Sequence, residues 1–240
     1  SKFEEQYIKL KKFLEIYIMK KVLIIHAHPE SQSFCSSLKN EAVSYFQSQG
    51  AEVKVSDLYA MGFNPVGDKH DFKQLQHPDF FKYQMEQVHA HQNNLFMPDV
   101  KTEMDKLEWC DTLIFNFPLW WFGLPAILKG WVDRIFAMGL VYGAGKGVYD
   151  NGTYKNKTAF LTLTTGGPEV AYGDTGKNGN LDTILYPIQH GMFYFAGMTV
   201  LPPFISFSPA RITDEERKAQ LALYKTYLEK AAFLKPIYKA

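Results

Sequence analysis

Three short stretches carry side chains suited to chemistry on a flat, charged molecule. Pro118-Leu119-Trp120-Trp121-Phe122 sets three large aromatics side by side. Neighbouring side chains leave the backbone in different directions, so one core cannot take all three. Either at least one ring lines a cleft, or the loop is tucked under a helix with its rings buried; the segment alone leaves both open. Thr164-Thr165-Gly166-Gly167, followed by Tyr172, joins hydroxyls to a glycine pair that lets backbone N–H groups approach a ligand. The polar turn His28-Pro29-Glu30-Ser31-Gln32-Ser33 runs into Phe34 and Cys35. At the start of a helix, free N–H groups and the helix dipole converge and can hold phosphate, although plain N-capping accounts for Ser31 and Ser33 equally well. An aromatic wall beside two glycines suits a planar ring system, and an isoalloxazine ring meets that description.

Other chemistries lack their residues. No G-x-G-x-x-G follows the first strand and no G-x-x-x-x-G-K-[ST] occurs, which disfavours a Rossmann dinucleotide site and a P-loop. Neither a G-x-S-x-G elbow nor H-E-x-x-H is present. His26 and His28 point to opposite faces if the strand continues through them. Cys35 and Cys110 lack C-x-x-C spacing and form no ligand constellation with the scattered histidines, so no metal is expected.

These stretches need a scaffold that delivers all three to one place. Lys21 to Ala27 and Thr112 to Phe117 are nearly continuous apolar runs of the kind found in parallel sheets covered on both faces. Helical spacing predicts a helix over Phe34 to Ser48, ended by Gly50, before a second strand at Glu52 to Asp57; together these make a right-handed βαβ unit. Leu58 to about Pro98 loses periodicity but keeps Phe63, Phe72, Phe80, Phe81 and Tyr83, too apolar for a disordered linker. Further helices are expected at Asp99 to Trp109, Gly123 to Met138, Leu181 to Phe195 and Thr213 to about Phe233. The last opens with a Thr213-x-x-Glu216 capping box. Strand four is expected at Lys157 to Thr164 and strand five at Met198 to Phe207. Five βα repeats predict an α/β, doubly wound, five-stranded parallel sheet with helices on both faces. In such sheets ligands bind beyond the carboxyl ends of the strands where strand order reverses, and the loops after strands one, three and four are the three stretches above.

Charge sets further bounds. With 26 basic and 25 acidic residues the formal net charge is +1, so no global field steers the chain to nucleic acid or anionic lipid. Cysteine usage points to a reducing, cytoplasmic compartment. No apolar run approaches the roughly 20 residues that span a bilayer. Residues 1–18 carry acids and lysines throughout, unlike a secretory signal, and read as an amphipathic helical extension before a single domain at 19–240. Met19, directly before the first strand, is a candidate original start.

Several motifs, in order, resemble the NAD(P)H:quinone oxidoreductases of the DT-diaphorase type. They are Ala27-His28-Pro29-Glu30 with Ser33-Phe34, Asp57-Leu58-Tyr59-Ala60-Met61, Phe63-Asn64-Pro65, the long run from Phe117 to Trp131, and Thr164-Thr165-Gly166-Gly167. The run from Phe117 to Trp131 is the most specific, and the resemblance extends from about Lys21 to Lys230. It implies a flavodoxin-like homodimer, sheet order 2-1-3-4-5, with FAD rather than FMN in sites at the subunit interface and NADPH or NADH as donor. By position, His28, Ser33, Phe34 and Cys35 would hold the FAD pyrophosphate region; the family often has Asn where Cys35 stands. Pro118, Leu119, Trp120, Trp121 and Phe122 would embrace the isoalloxazine, and Thr164, Thr165, Gly166 and Gly167 its polar edge. Arg217 matches a basic residue near the adenine end, and Lys82 falls where the family has a polar residue near the ribityl chain.

The implied mechanism is ping-pong: hydride passes from NAD(P)H to flavin N5 and then to a quinone in the same place, two electrons at once. Negative charge developing at the flavin's polar edge calls for a nearby donor. Tyr172 matches the family's tyrosine there, while the accompanying histidine falls at Asn178, which can donate but cannot become cationic near neutral pH. Trp121, Phe122, Tyr142 and, from the partner subunit, Phe195 would contact the acceptor. A second pocket tyrosine is replaced near Ala144, leaving room for quinones, azo dyes or nitroaromatics. An alternative is a regulatory flavoprotein subunit of a membrane transport system, docked through the leading helix. A one-electron carrier is disfavoured, since carriers show strongly acidic surfaces.

Overall fold

The computed structural model describes residues 19–239; the helix expected within residues 1–18 lies outside the described residues. Strands β1 (Lys21–His26), β2 (Glu52–Asp57), β3 (Thr112–Pro118), β4 (Thr158–Thr165), β5 (Thr199–Val200) and β6 (Phe204–Phe207) form one sheet in the order β2-β1-β3-β4-β5, with β6 also on β4. All these pairings are parallel. Every residue of β3 is buried, as both-face cover requires, whereas β2 at one edge alternates. The fold is flavodoxin-like. Its helices are α1 (Phe34–Ser48), α2 (Tyr83–Asn93), α3 (Pro98–Trp109), α4 (Ala126–Ile135), α5 (Leu181–Ile188) and α6 (Asp214–Lys230). Among the described residues no helix is long and apolar enough to cross a membrane.

Three expectations are corrected, each at a proline. The fifth strand is two short pieces, because Pro202 and Pro203 lack the N–H groups a ladder needs. The helix from Leu181 turns into a π-helical segment, Gln189–Tyr194, just past Pro187; a mid-helix proline removes a ladder donor and π segments accommodate the misfit. The helix predicted from Gly123 starts only after Pro125, its N-cap.

The stretch from Leu58 to Pro98 is ordered by one buried ion pair. Arg134 on α4 donates Nε to Asp71 at 2.9 Å, Nη1 to the Asn64 carbonyl at 2.8 Å and Nη2 to Asp99 at 2.8 Å. The Tyr83 hydroxyl donates to Asp71 as well. The Glu86 carboxylate accepts the N–H groups of Gln76 and His77. Helix α2 is therefore tied down through polar groups rather than an apolar stripe. At the sheet's other edge, residues near the carboxyl terminus add an antiparallel bridge, Tyr238 to Val200. There the Tyr238 ring stacks 5.3 Å from Tyr194.

Candidate active site

A cleft of about 790 Å³ opens beyond the carboxyl ends of β1, β3 and β4. It is lined by His28, Ser33, Phe34 and Cys35 from the turn into α1, Pro118, Leu119, Trp120 and Trp121 after β3, Thr164, Thr165 and Gly166 after β4, and Arg217 from α6. The structure thus brings the three sequence stretches together. Pro209 and Ala210 also line it and were not foreseen. Their signal was positional: they follow the last strand at the same end of the sheet.

The aromatic loop is fixed by backbone bonds: Leu119 N–H to the Thr164 carbonyl at 2.8 Å, Trp120 N–H to Pro118 at 2.9 Å and Gly123 N–H to Trp120 at 3.0 Å. Trp121 and Phe122 take φ angles of 49° and 58°, a left-handed conformation costly for bulky residues and kept where surroundings enforce it. The outcome is that Trp121 is 97% exposed, so the rings are not tucked under a helix. Phe122 stands beside the cleft, half exposed, without lining it.

The opposite wall is a helix start. Ser33 caps α1 by accepting the Ser36 N–H at 3.1 Å, and the first turn carries no acidic residue. The N–H groups of Phe34 and Cys35, in that first turn, have no intrahelical acceptor. His28 Nδ1 accepts the Glu30 N–H at 3.0 Å, which leaves the ring proton of neutral His28 on Nε2 as a donor. Burial lowers the His28 pKa and keeps that neutral form. The Cys35 thiol is pushed up to about 12 by burial and donates to Asn116 Oδ1 at 3.5 Å, so the thiol is engaged inward while Cys35 still lines the cleft. Arg217 directs Nη1 to the carbonyls of Pro209 (2.8 Å) and Ile212 (2.6 Å) and Nη2 to Asp214. It braces the loop that forms the far wall.

Gly167, Tyr172 and Asn178 stand next to one another just past Gly166. A methyl group built on Gly167 would lie 2.9 Å from Asn178 Nδ2 and 3.4 Å from the Tyr172 hydroxyl. Gly167→Ala is therefore expected to displace the Asn178 amide, to leave the Tyr172 ring in ordinary contact and to cut turnover by about tenfold at most, the worth of one hydrogen bond. Steady-state kinetics at saturating donor, with thermal unfolding as the control for folding, measures this.

Tyr142 and Phe195 line a second cavity of about 570 Å³ together with Gln84 and Met192. Their rings touch within one chain, 5.6 Å apart and edge-on. Within the chain the two sit together, apart from the residues that line the first cleft.

The flavodoxin-like fold family matches residues 20–230. The chain is 44% identical over 211 residues to the Homo sapiens protein named ribosyldihydronicotinamide dehydrogenase [quinone], covering 88% of this chain and 91% of that one. The chain belongs to the NAD(P)H:quinone oxidoreductase family. It is an oxidoreductase of that family. A second family member, NAD(P)H dehydrogenase [quinone] 1 of Cavia porcellus, is 42% identical over 223 residues, 92% of this chain and 81% of that protein. Among solved structures, a putative quinone reductase from Klebsiella pneumoniae superposes with a TM-score of 0.87 at 39% identity, covering 91% of this chain and 87% of that one.

Proposed function

We propose that this chain is an FAD-dependent NAD(P)H:quinone reductase, cytoplasmic and working as a homodimer by a ping-pong scheme. The observation that carries the reading is the make-up of the 790 Å³ cleft: an exposed indole wall at Trp120 and Trp121 faces a helix start free of acidic residues. The first suits a planar ring and the second suits phosphate. Bound flavin supplies hydride acceptance from a reduced nicotinamide and hydride donation to the acceptor.

The chain's own residues do the rest. Phe34 and Cys35 N–H groups, with the Nε2–H of His28, hold the pyrophosphate. Thr164, Thr165 and Gly166 set the ring against the indoles. Tyr172 and Asn178 supply hydrogen bonds where negative charge develops at the ring's polar edge. With Asn178 in place of a titratable imidazole, proton supply falls to Tyr172 or water. FAD in preference to FMN follows the family resemblance, with Arg217, which lines the cleft beside Pro209 and Ala210, assigned to the adenine end. Tyr142 and Phe195 lie in their own cavity, so a second copy of the chain must bring them to the cleft as acceptor-binding side chains. The names of the relatives divide between two reduced nicotinamides, and both belong in the test.

Stopped-flow mixing of the flavin-loaded protein with NADPH, NADH or ribosyldihydronicotinamide is expected to bleach the flavin, and a benzoquinone is expected to restore it. If no donor bleaches it within seconds, the reductase reading fails and a regulatory flavoprotein subunit takes its place. Releasing the flavin by heat and running it against FAD and FMN standards identifies the cofactor.

A further inference from the structure

A buried polar chain leads from Ser33, on the cleft wall, into the sheet. Ser33 Oγ donates to Ser36 Oγ at 3.0 Å. Ser36 Oγ lies 3.1 Å from His26 Nε2 and 2.9 Å from the Glu30 carbonyl oxygen. His26 Nδ1 lies 2.5 Å from Asn116 Oδ1, the two residues being paired in register between β1 and β3. His26, Ser36 and Asn116 are all buried, and Asn116 Nδ2 has no partner. An unmade buried donor is costly, so this arrangement is one that a change of hydrogen-bond direction can relieve.

Proton accounting allows two directions. Each hydroxyl has one proton and a neutral imidazole has one. Burial lowers the His26 pKa and favours its neutral form. The charged groups facing it, Asp57 on β2, Lys39 on α1 and His28 beyond β1, act in opposing senses. In the inward direction Ser33 donates to Ser36, Ser36 to His26 Nε2, and His26 Nδ1–H to Asn116 Oδ1, which strands Nδ2. In the outward direction Asn116, turned end for end, donates Nδ2–H to His26 Nδ1. His26 then donates Nε2–H to Ser36 Oγ, and Ser36 donates to the Glu30 carbonyl. What goes unpartnered is the Asn116 carbonyl, a loss tolerated more often than that of an N–H donor, and the weak Cys35 thiol donor loses its acceptor there, which favours the inward direction while the cleft holds no phosphate. The Ser33 hydroxyl is no longer required inside and can donate into the cleft.

We propose that His26 is a positioning residue of the cleft: a phosphate group bound beside Ser33 draws the chain outward and moves the His26 proton from Nδ1 to Nε2. The inference rests on the reading that the cleft takes a phosphate-bearing flavin. No net proton enters or leaves. Nε2 takes the Ser36 hydroxyl proton, Ser36 takes that of Ser33 and Ser33 takes one from water in the cleft, while Nδ1 gives its proton to water as the ring parts transiently from Asn116, so that protons balance through solvent. The coupling is reciprocal, so blocking the outward direction weakens phosphate binding.

The test is nitrogen NMR of the full chain with isotopically labelled histidine, free, with FAD, and with riboflavin, which lacks phosphate. FAD is expected to convert His26 Nδ1 from the protonated to the unprotonated type, and riboflavin to leave it unchanged. His26→Leu is expected to weaken FAD binding about tenfold, the worth of one hydrogen bond to a charged group, with riboflavin affinity unaltered; fluorescence titration measures both. FAD binding without a change at His26 overturns the inference and leaves the flavin reading intact. Absence of FAD binding to the wild-type chain overturns both. The NMR result stands whether or not the leucine variant folds.

Discussion

Tyr172→Phe is expected to slow reduction of the bound flavin about 10²- to 10³-fold, the usual consequence of removing one preorganised donor from a site of developing negative charge. Flavin content should be unchanged, because the variant leaves intact the residues that line the 790 Å³ cleft from His28 to Arg217. The ring is held where it is by packing 5.8 Å from Phe207, and phenylalanine keeps that contact. Only the hydroxyl, close to Gly167, is lost. Asn178 Nδ2 remains beside the same glycine, so activity should fall without vanishing. Stopped-flow reduction with saturating donor is the measurement, and a rate equal to that of the wild type would remove Tyr172 from the chemistry.

Arg134→Ala is expected to cost about 3 to 5 kcal/mol of stability, the range seen when one partner of a buried ion pair is removed. Arg134 is 2% exposed and Asp71 is 1% exposed, so the change strands a carboxylate away from water. The Asn64 carbonyl loses its donor in the same step. The guanidinium also lies 5.0 Å from the centre of the Phe63 ring, an attraction that goes with it. Urea titration should show the midpoint falling accordingly. Adding Asp71→Asn should recover part of the loss, since the stranded group is then neutral and can still accept from Tyr83. A fall of less than about 1 kcal/mol would place this pair with weak surface bridges.

The sheet and the place of the cleft were legible in the sequence because both rest on short-range signals. Continuous apolar runs at Lys21 to Ala27 and Thr112 to Phe117 can only be covered strands, and strand polarity then puts their loops at one end. Helix α2 was hidden for a physical reason. The buried residues among its eleven are Glu86, Gln87 and Ala90, so its inward face is largely polar and leaves no apolar period. The joint placement of Tyr142 and Phe195 depends on packing between residues more than fifty positions apart, which no local pattern encodes. The role of Arg217 was only half legible: its match to the family's basic residue placed it near the adenine end, but its engagement of Pro209 and Ile212 follows from the turn made by residues 208–212. The partnerless amide of Asn116 could not be foreseen, because a strand asparagine reads simply as an interruption.

The two margins of the sheet are guarded by different means. At β2 the solvent side carries Glu52 and Lys54, and charges there discourage pairing with another chain. At the opposite margin Pro202 and Pro203 offer no N–H, and Val200 has its own pairing taken by Ile237 and Tyr238. Ile237 and Tyr238 thus occupy the line along which another strand could pair. Cutting the chain before Ile237 would uncover that line and strip the Tyr238 ring from His190 and Tyr194, so it should register as turbidity on storage together with a lower melting temperature.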